Sequence, residues 1–113
     1  MDAASLLLQQ DTRRYESALV SWTQQVRSAR SLPDAARLAA HAPQPGHLLR
    51  GVRSLVAGST HRASTQVERH LLDLVERSDL AALQQAQRAL PGHWPKVARA
   101  AQERMRLLSS PTP

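Results

Sequence analysis

Tyr15-Glu16-Ser17-Ala18-Leu19-Val20-Ser21-Trp22-Thr23-Gln24-Gln25-Val26-Arg27-Ser28-Ala29 is the stretch that decides the fold. Tyr15, Leu19, Trp22, Val26 and Ala29 recur at spacings of four, three, four and three. That recurrence aligns them on one face of an α-helix, whereas a half-buried strand would alternate every second residue. Leu8, seven residues before Tyr15, extends the stripe, and a first helix is predicted over residues 3 to 30. Asp11 lies on the same stripe, so the first turns are expected to fray or protrude while Tyr15 and Trp22 anchor the remainder in the core.

Outward from this segment the strand signature never appears, and the chain has no Ile and no Phe. The expectation is an all-α fold, a small bundle of five or six helices with a long N-terminal helix and two helix-turn-helix corners. A short second helix tolerates Pro33 in its first turn, gains from Asp34 at the positive end of its dipole, and must stop before Ala42-Pro43-Gln44-Pro45-Gly46. A third, from about His47 to Ala57, is predicted to bury Leu48, Leu49, Val52, Leu55 and Val56 and to end at Gly58 in a left-handed cap. The fourth starts between Ser59 and Thr65: Thr65-Gln66-Val67-Glu68 has the capping-box pattern, while Ala63, Val67, Leu71, Leu74 and Val75 allow an earlier start. It stops near Ser78. The fifth spans Asp79 to Leu90 with Leu80, Leu83 and Leu90 inward, and Pro91-Gly92 breaks it. The sixth starts at Pro95 with Val97, Ala101, Met105 and Leu108 inward and Lys96, Arg99 and Arg106 opposite. Residues 1–108 are thus expected to form one helical domain, and 109–113 a disordered tail.

A chain of 113 residues encloses one modest core. It has no cysteine, which removes disulfides, thiolate metal sites and thiol chemistry together. The opening Met-Asp-Ala-Ala-Ser lacks a basic leader before an apolar run, and no stretch reaches the ~18 apolar residues of a membrane span, so a cytoplasmic protein is expected. Of its fifteen cations fourteen are arginine, and alanine is abundant. A GC-rich coding background contributes to that bias, alongside any selection for bidentate phosphate contacts.

The formal charge of +6 is regional. Residues 35–67 hold Arg37, Arg50, Arg53 and Arg62 with no acid, and residues 80–113 hold Arg88, Lys96, Arg99, Arg104 and Arg106 against Glu103 alone. Each block therefore nets +4, residues 1–34 balance four acids with four arginines, and residues 68–79 carry two more acids than arginines. Segregated positive charge points to a polyanionic partner.

The two basic blocks also share an echo. Pro45-Gly46-His47-Leu48-Leu49-Arg50-Gly51-Val52-Arg53 aligns without gaps to Pro91-Gly92-His93-Trp94-Pro95-Lys96-Val97-Ala98-Arg99, 46 residues later. Each copy puts a proline-glycine break before a helix, a bulky apolar residue at its mouth and two cations three apart in its first turns. Exposed amide hydrogens beside a cation can hold a phosphate, and a reused corner with solvated cations explains the same pattern. Leu90-Pro91-Gly92-His93-Trp94-Pro95-Lys96-Val97-Ala98 also looks like the helix-hairpin-helix motif that grips nucleic-acid backbones, with Trp94 where that motif has its second glycine.

From about Val52 to Leu108 the order of features resembles the small subunit of CRISPR-guided interference complexes. Val67-Glu68-Arg69-His70-Leu71-Leu72-Asp73-Leu74 is similar to that family's Glu-Arg-Arg-Phe helix with paired leucines, although His70 stands in place of Arg and Leu71 in place of Phe. Ser78-Asp79-Leu80-Ala81-Ala82-Leu83 followed by Arg88 resembles its acidic-start helix, and Trp94 before a terminal helix is the third piece; the family's late Asp is absent. The resemblance implies a small, helical, non-catalytic subunit that lies along guide RNA or a displaced DNA strand beside other subunits and further copies of itself. Arg50, Arg53, Arg62, Arg69, Lys96 and Arg99 would then sit near phosphates and bind without sequence preference. No cofactor, metal or membrane partner is implied.

Enzyme chemistry finds no foothold. His41, His47, His61, His70 and His93 never pair at i and i+4 around a carboxylate, and His47 and His93, equivalent in the echo, read as surface or capping groups before they read as metal ligands. No serine lies in a Gly-x-Ser-x-Gly elbow, and Gly46, Gly51, Gly58 and Gly92 form no phosphate-cradling loop. Asp73 and Glu76 share a helix face with arginines beside them, as solvated pairs do. The competing reading is a helical adaptor, assembly factor or inhibitor that docks an acidic protein, using Leu6, Leu7 and Leu8 if these stay exposed.

Overall fold

A computed structural model describes residues 3–45, 48, 50–90 and 94–109. Six helices follow one another: α1 (Ala3–Ser28), α2 (Leu32–Ala39), α3 (Arg50–Leu55), α4 (Ala57–Arg77), α5 (Leu80–Gln87) and α6 (Pro95–Ser109). The described residues contain no strand.

The stripe read from the sequence is the inner face of α1. Tyr15, Leu19, Trp22 and Val26 are buried, with Leu8 and Ala29 half-buried against the same core. The chain reverses after α1 because Ser31 adopts an extended conformation and its hydroxyl accepts from the Asp34 N–H, which caps α2 with Pro33 in its first turn. Trp22 Nε1 then donates to Leu38 O at 3.0 Å, holding α2 antiparallel to α1. Asp79 closes the second reversal in the same way, accepting from the Ala82 N–H at 2.8 Å at the start of α5.

Side-chain contacts give the direction of the remaining helices. Tyr15 meets Thr60 at 3.1 Å, Glu16 accepts from the Ser59 hydroxyl at 3.2 Å, and His70 Nε2 lies 3.0 Å from Ala29 O. Rising numbers on α1 therefore meet rising numbers on α4, and the two helices run parallel. Trp94 shares a cavity with Ser64 and Glu68, while Arg104 Nε donates to Ser78 O at 3.0 Å, so α6 also runs parallel to α4, on its other flank. α4 packs against α1 and α6, whereas α2 packs against α1, α4 and α5, and α5 against α6. The result is two layers: α1, α4 and α6 side by side, with α2 and α5 beneath them running the opposite way. α1 overhangs at one end and α6 at the other, in keeping with an elongated body of 71 × 22 × 18 Å.

Ala63, Val67, Leu71, Leu74 and Val75 all face inward from α4. Leu71 and Leu83 are fully buried, and burial of side chains of this size stabilises by about 1.5–3 kcal/mol each. Two hydroxyls complete the α1/α4 seam: the Thr60 hydroxyl donates to Val56 O at 2.9 Å, which leaves its oxygen to accept from Tyr15.

Several expectations require correction. Gly58 lies inside α4, not in a left-handed cap, and α4 begins at Ala57. Thr65 is mid-helix, its hydroxyl returning to His61 O at 2.9 Å, so no capping box forms there. Leu55 is 71% exposed, because α3 is a short segment at the edge of the layer that turns Val52 into the core, with Leu48 and Val56 buried on either side of it; Leu49 lies outside the described residues. Leu108 is 45% exposed, because α6 continues beyond Ser78, where α4 has already ended. Ser109 still belongs to α6, and the rest of the anticipated tail, 110–113, lies outside the described residues.

Candidate nucleic-acid interface

With α2 and α5 below, the faces of α1, α4 and α6 that point away from the core form one outer surface. At roughly 100° per residue, Arg69 and Arg62 lie about 160–140° from Val67, in the middle of the inward stripe of α4. Both are exposed on the outer side. Arg99 lies about 160° and Lys96 about 100° from Val97 on α6, and both are exposed. Sequence-predicted cations from the two separate blocks are thus brought together, with Arg62 from the first and Lys96 and Arg99 from the second.

Axial register tightens this arrangement. The contacts Glu16 to Ser59 and Ala29 to His70 place Arg27 level with Arg69, and the cavity that Trp94 lines with Ser64 and Glu68, together with the hydrogen bond of Arg104 to Ser78, places Lys96 near the same height. Arg27, Arg69 and Lys96 therefore form a transverse row, one from each helix of the layer. Neighbouring helix axes lie ~8–10 Å apart, so the row spans about 18 Å. Arg62 stands about 10 Å from it towards the N-terminal end, and Arg99 about 5 Å towards the C-terminal end, at ~1.5 Å per residue. Arg27 and Arg62 line a common groove between α1 and α4 with Glu16, Val20, Gln24 and Gln66.

Block charge does not mark Arg27, because residues 1–34 are charge-neutral as a block. The usable signal was periodic: Arg13, Val20 and Arg27 recur every seven residues, opposite the buried stripe.

Acids fall mostly outside the row; the exception on the outer face is exposed Glu76, seven residues after Arg69 and so about 10 Å from it towards the C-terminal end. Asp73 pairs with Arg77 at 3.4 Å, Glu103 with Arg106 at 2.5 Å, and Asp34 with Arg37 on α2, which faces another side of the molecule. The Arg106 guanidinium, by hydrogen bond first and charge second, holds the Glu103 carboxyl below its ordinary value of 4.5. Glu68 is half-buried and lines a cavity with Trp94, Ala39 and Gln44 on the core side of the layer. Glu16 accepts from Ser59, whose hydroxyl also accepts from Arg62 at 3.4 Å, so one cation of the surface is partly compensated. Arg27, Arg69, Lys96 and Arg99 form no ion pair among the described residues.

Arg50 and Arg53 sit elsewhere. The Val56 N–H donates to Val52 O at 3.1 Å and the Thr60 N–H to Val56 O at 2.9 Å, so α3 continues into α4 with little more than a bend. Along such a helix Arg53 lies about 180° from Arg62, and Arg50 about 100° from Arg69. Both are exposed but turn away from the row.

Trp94, the bulky apolar residue at the mouth of α6, is buried. It is 8% exposed and stacks on Trp22, with ring centroids 6.4 Å apart and planes inclined by 26°. Tyr15 and Trp22 are buried as well, so no aromatic ring is available for stacking on a base. The echo and the helix-hairpin-helix segment fall largely outside the described residues at Gly46, His47, Leu49, Pro91, Gly92 and His93. His70 fixes its Nε2 as a donor to Ala29 O, and the described residues contain no cluster of three or more His, Cys, Asp or Glu placed to hold a metal. No described helix is long and apolar enough to cross a membrane.

No family model matches the chain, and neither the curated proteins nor the solved structures include a match to it.

Proposed function

We propose that this protein binds the sugar-phosphate backbone of nucleic acid without reading sequence, through the outer face of α1, α4 and α6. The observation that carries this reading is the row Arg27, Arg69 and Lys96, which forms no ion pair among the described residues and is flanked by Arg62 and Arg99. Guanidinium and ammonium groups on a surface without aromatic rings supply charge and hydrogen bonds to phosphate and nothing that distinguishes bases. The role is that of a non-catalytic subunit in a multisubunit RNA-guided complex, an assignment that draws on the resemblance of residues 67–74, 78–83 and 88 to small subunits of such complexes.

Filter binding of the purified chain to oligonucleotides across a salt series tests the mechanism. Five phosphate contacts give a slope of log affinity against log salt of about −4.5 on a duplex. Binding that is undetectable, or unchanged from low to high salt, rejects it.

A second reading has its own observation. Leu6 and Leu7 are 46% and 60% exposed on the overhang of α1, as a helical adaptor docking a partner protein requires. In that case the protein would bind no oligonucleotide, and replacing both leucines by Gln would release the partner.

A further inference from the structure

Resting on that reading, we infer that the ligand of this face is a nucleic-acid duplex and not a single strand. Two independent features lead there. The first is the shape of the charge: the cations form a band, three across at one height with others above and below, about 18 Å wide and 15 Å long by helix spacing and rise. A duplex presents two phosphate strands across a groove, carries one charge per ~1.7 Å of axis, and can occupy such a band in both directions. A single strand is a line of phosphates and can follow one row only.

The second is the absence of stacking. Proteins that hold single strands draw ~1–3 kcal/mol per base from aromatic platforms, and single-strand binding without them loses its largest non-electrostatic term. Here Tyr15 is bonded to Thr60, while Trp22 and Trp94 stack on each other in the core. The chain has no further aromatic residue. A duplex keeps its bases stacked internally and asks nothing of the protein on that score.

Counterion release turns the difference into a measurable one. Five contacts on a duplex give a salt slope of about −4.5, and three on a single strand about −2. The shared chemistry is a paired double strand; a DNA duplex, an RNA–DNA hybrid and an RNA duplex all present it, with different groove widths.

The experiment is equilibrium binding of the full chain to these three duplexes and to single-stranded DNA and RNA of equal length, at matched phosphate concentration and several salt concentrations. The expected result is at least about tenfold tighter binding to one or more duplexes in 0.1 M salt, with the steeper slope. Arg27→Glu is expected to reduce that slope by about one unit, and Arg27→Gln, which keeps the side chain's length on the helix surface, to do the same if the reversal perturbs folding. Equal or tighter binding of single strands overturns the inference while leaving backbone binding intact. A duplex preference that survives both Arg27 variants unchanged overturns the transverse row. Failure of every oligonucleotide to bind overturns this inference together with the function on which it rests.

Discussion

Trp22 and Trp94 offer a sharp test of how this core is held, because they are alike in all but one respect. They are 6% and 8% exposed and stack on each other, so exchange of either for Phe removes a similar volume from the same place. Trp22 Nε1, however, donates to Leu38 O at 3.0 Å, whereas Trp94 Nε1 is buried without a partner among the described residues. Trp22→Phe therefore loses a hydrogen bond worth about 0.5–1.5 kcal/mol in addition to the packing loss, and Trp94→Phe removes an unsatisfied buried donor, which recovers about 1–3 kcal/mol. The two variants should differ in unfolding free energy by about 1.5–4.5 kcal/mol, with Trp94→Phe the more stable. Urea denaturation followed by far-UV circular dichroism measures both, provided that the slopes against urea agree. Equal destabilisation, or a larger loss for Trp94→Phe, would refute the hydrogen-bond argument. Duplex affinity should be unchanged in the folded Trp94→Phe protein, because this ring is closed to the ligand.

Leu83, fully buried, and Leu55, exposed, should part company on truncation: Leu83→Ala is expected to cost about 2–5 kcal/mol and Leu55→Ala less than about 0.5 kcal/mol, by the same denaturation. Glu103 is the sole acid of α6, and Glu103→Gln should tighten duplex binding by up to about fivefold in 0.15 M salt, read by fluorescence anisotropy. Acid acts in the same direction. Since Arg106 lowers the Glu103 pKa from 4.5, the pair's contribution to stability is present above that value and is lost as pH falls through the lowered one, so circular dichroism of wild type and Glu103→Gln should converge only below pH 4.5.

The helices were legible because their signals are local. Stripes at three- and four-residue spacing, Pro33 near the start of α2, and the Pro43-Gln44-Pro45-Gly46 break each act within one or two turns, and all six helices follow from them. Where neighbouring helices end was not legible: Leu55 and Leu108 share a stripe with buried residues, but α3 sits at the edge of the layer and α6 outlasts α4. Ser31 was recoverable from its Ser-x-x-Asp spacing to Asp34, whereas Gly58 misled because glycine is tolerated inside a helix as well as at its end. The candidate site was half legible. Block charge singles out Arg62, Lys96 and Arg99, which the fold sets on the outer face, as well as Arg50 and Arg53, which turn away from it, and passes over Arg27 in a neutral segment. Only the parallel run of α1, α4 and α6 decides which cations meet.

The most direct measurement compares duplex binding by two charge-matched variants, each lowering the net charge by four: Arg69→Glu with Lys96→Glu on the outer face, and Arg50→Glu with Arg53→Glu away from it. The outer-face pair should lose about a hundredfold in affinity and about two units of salt slope, and the other pair about threefold or less, with its slope retained. Equal losses from both would mean that net charge alone draws the ligand, and would contradict a defined binding face.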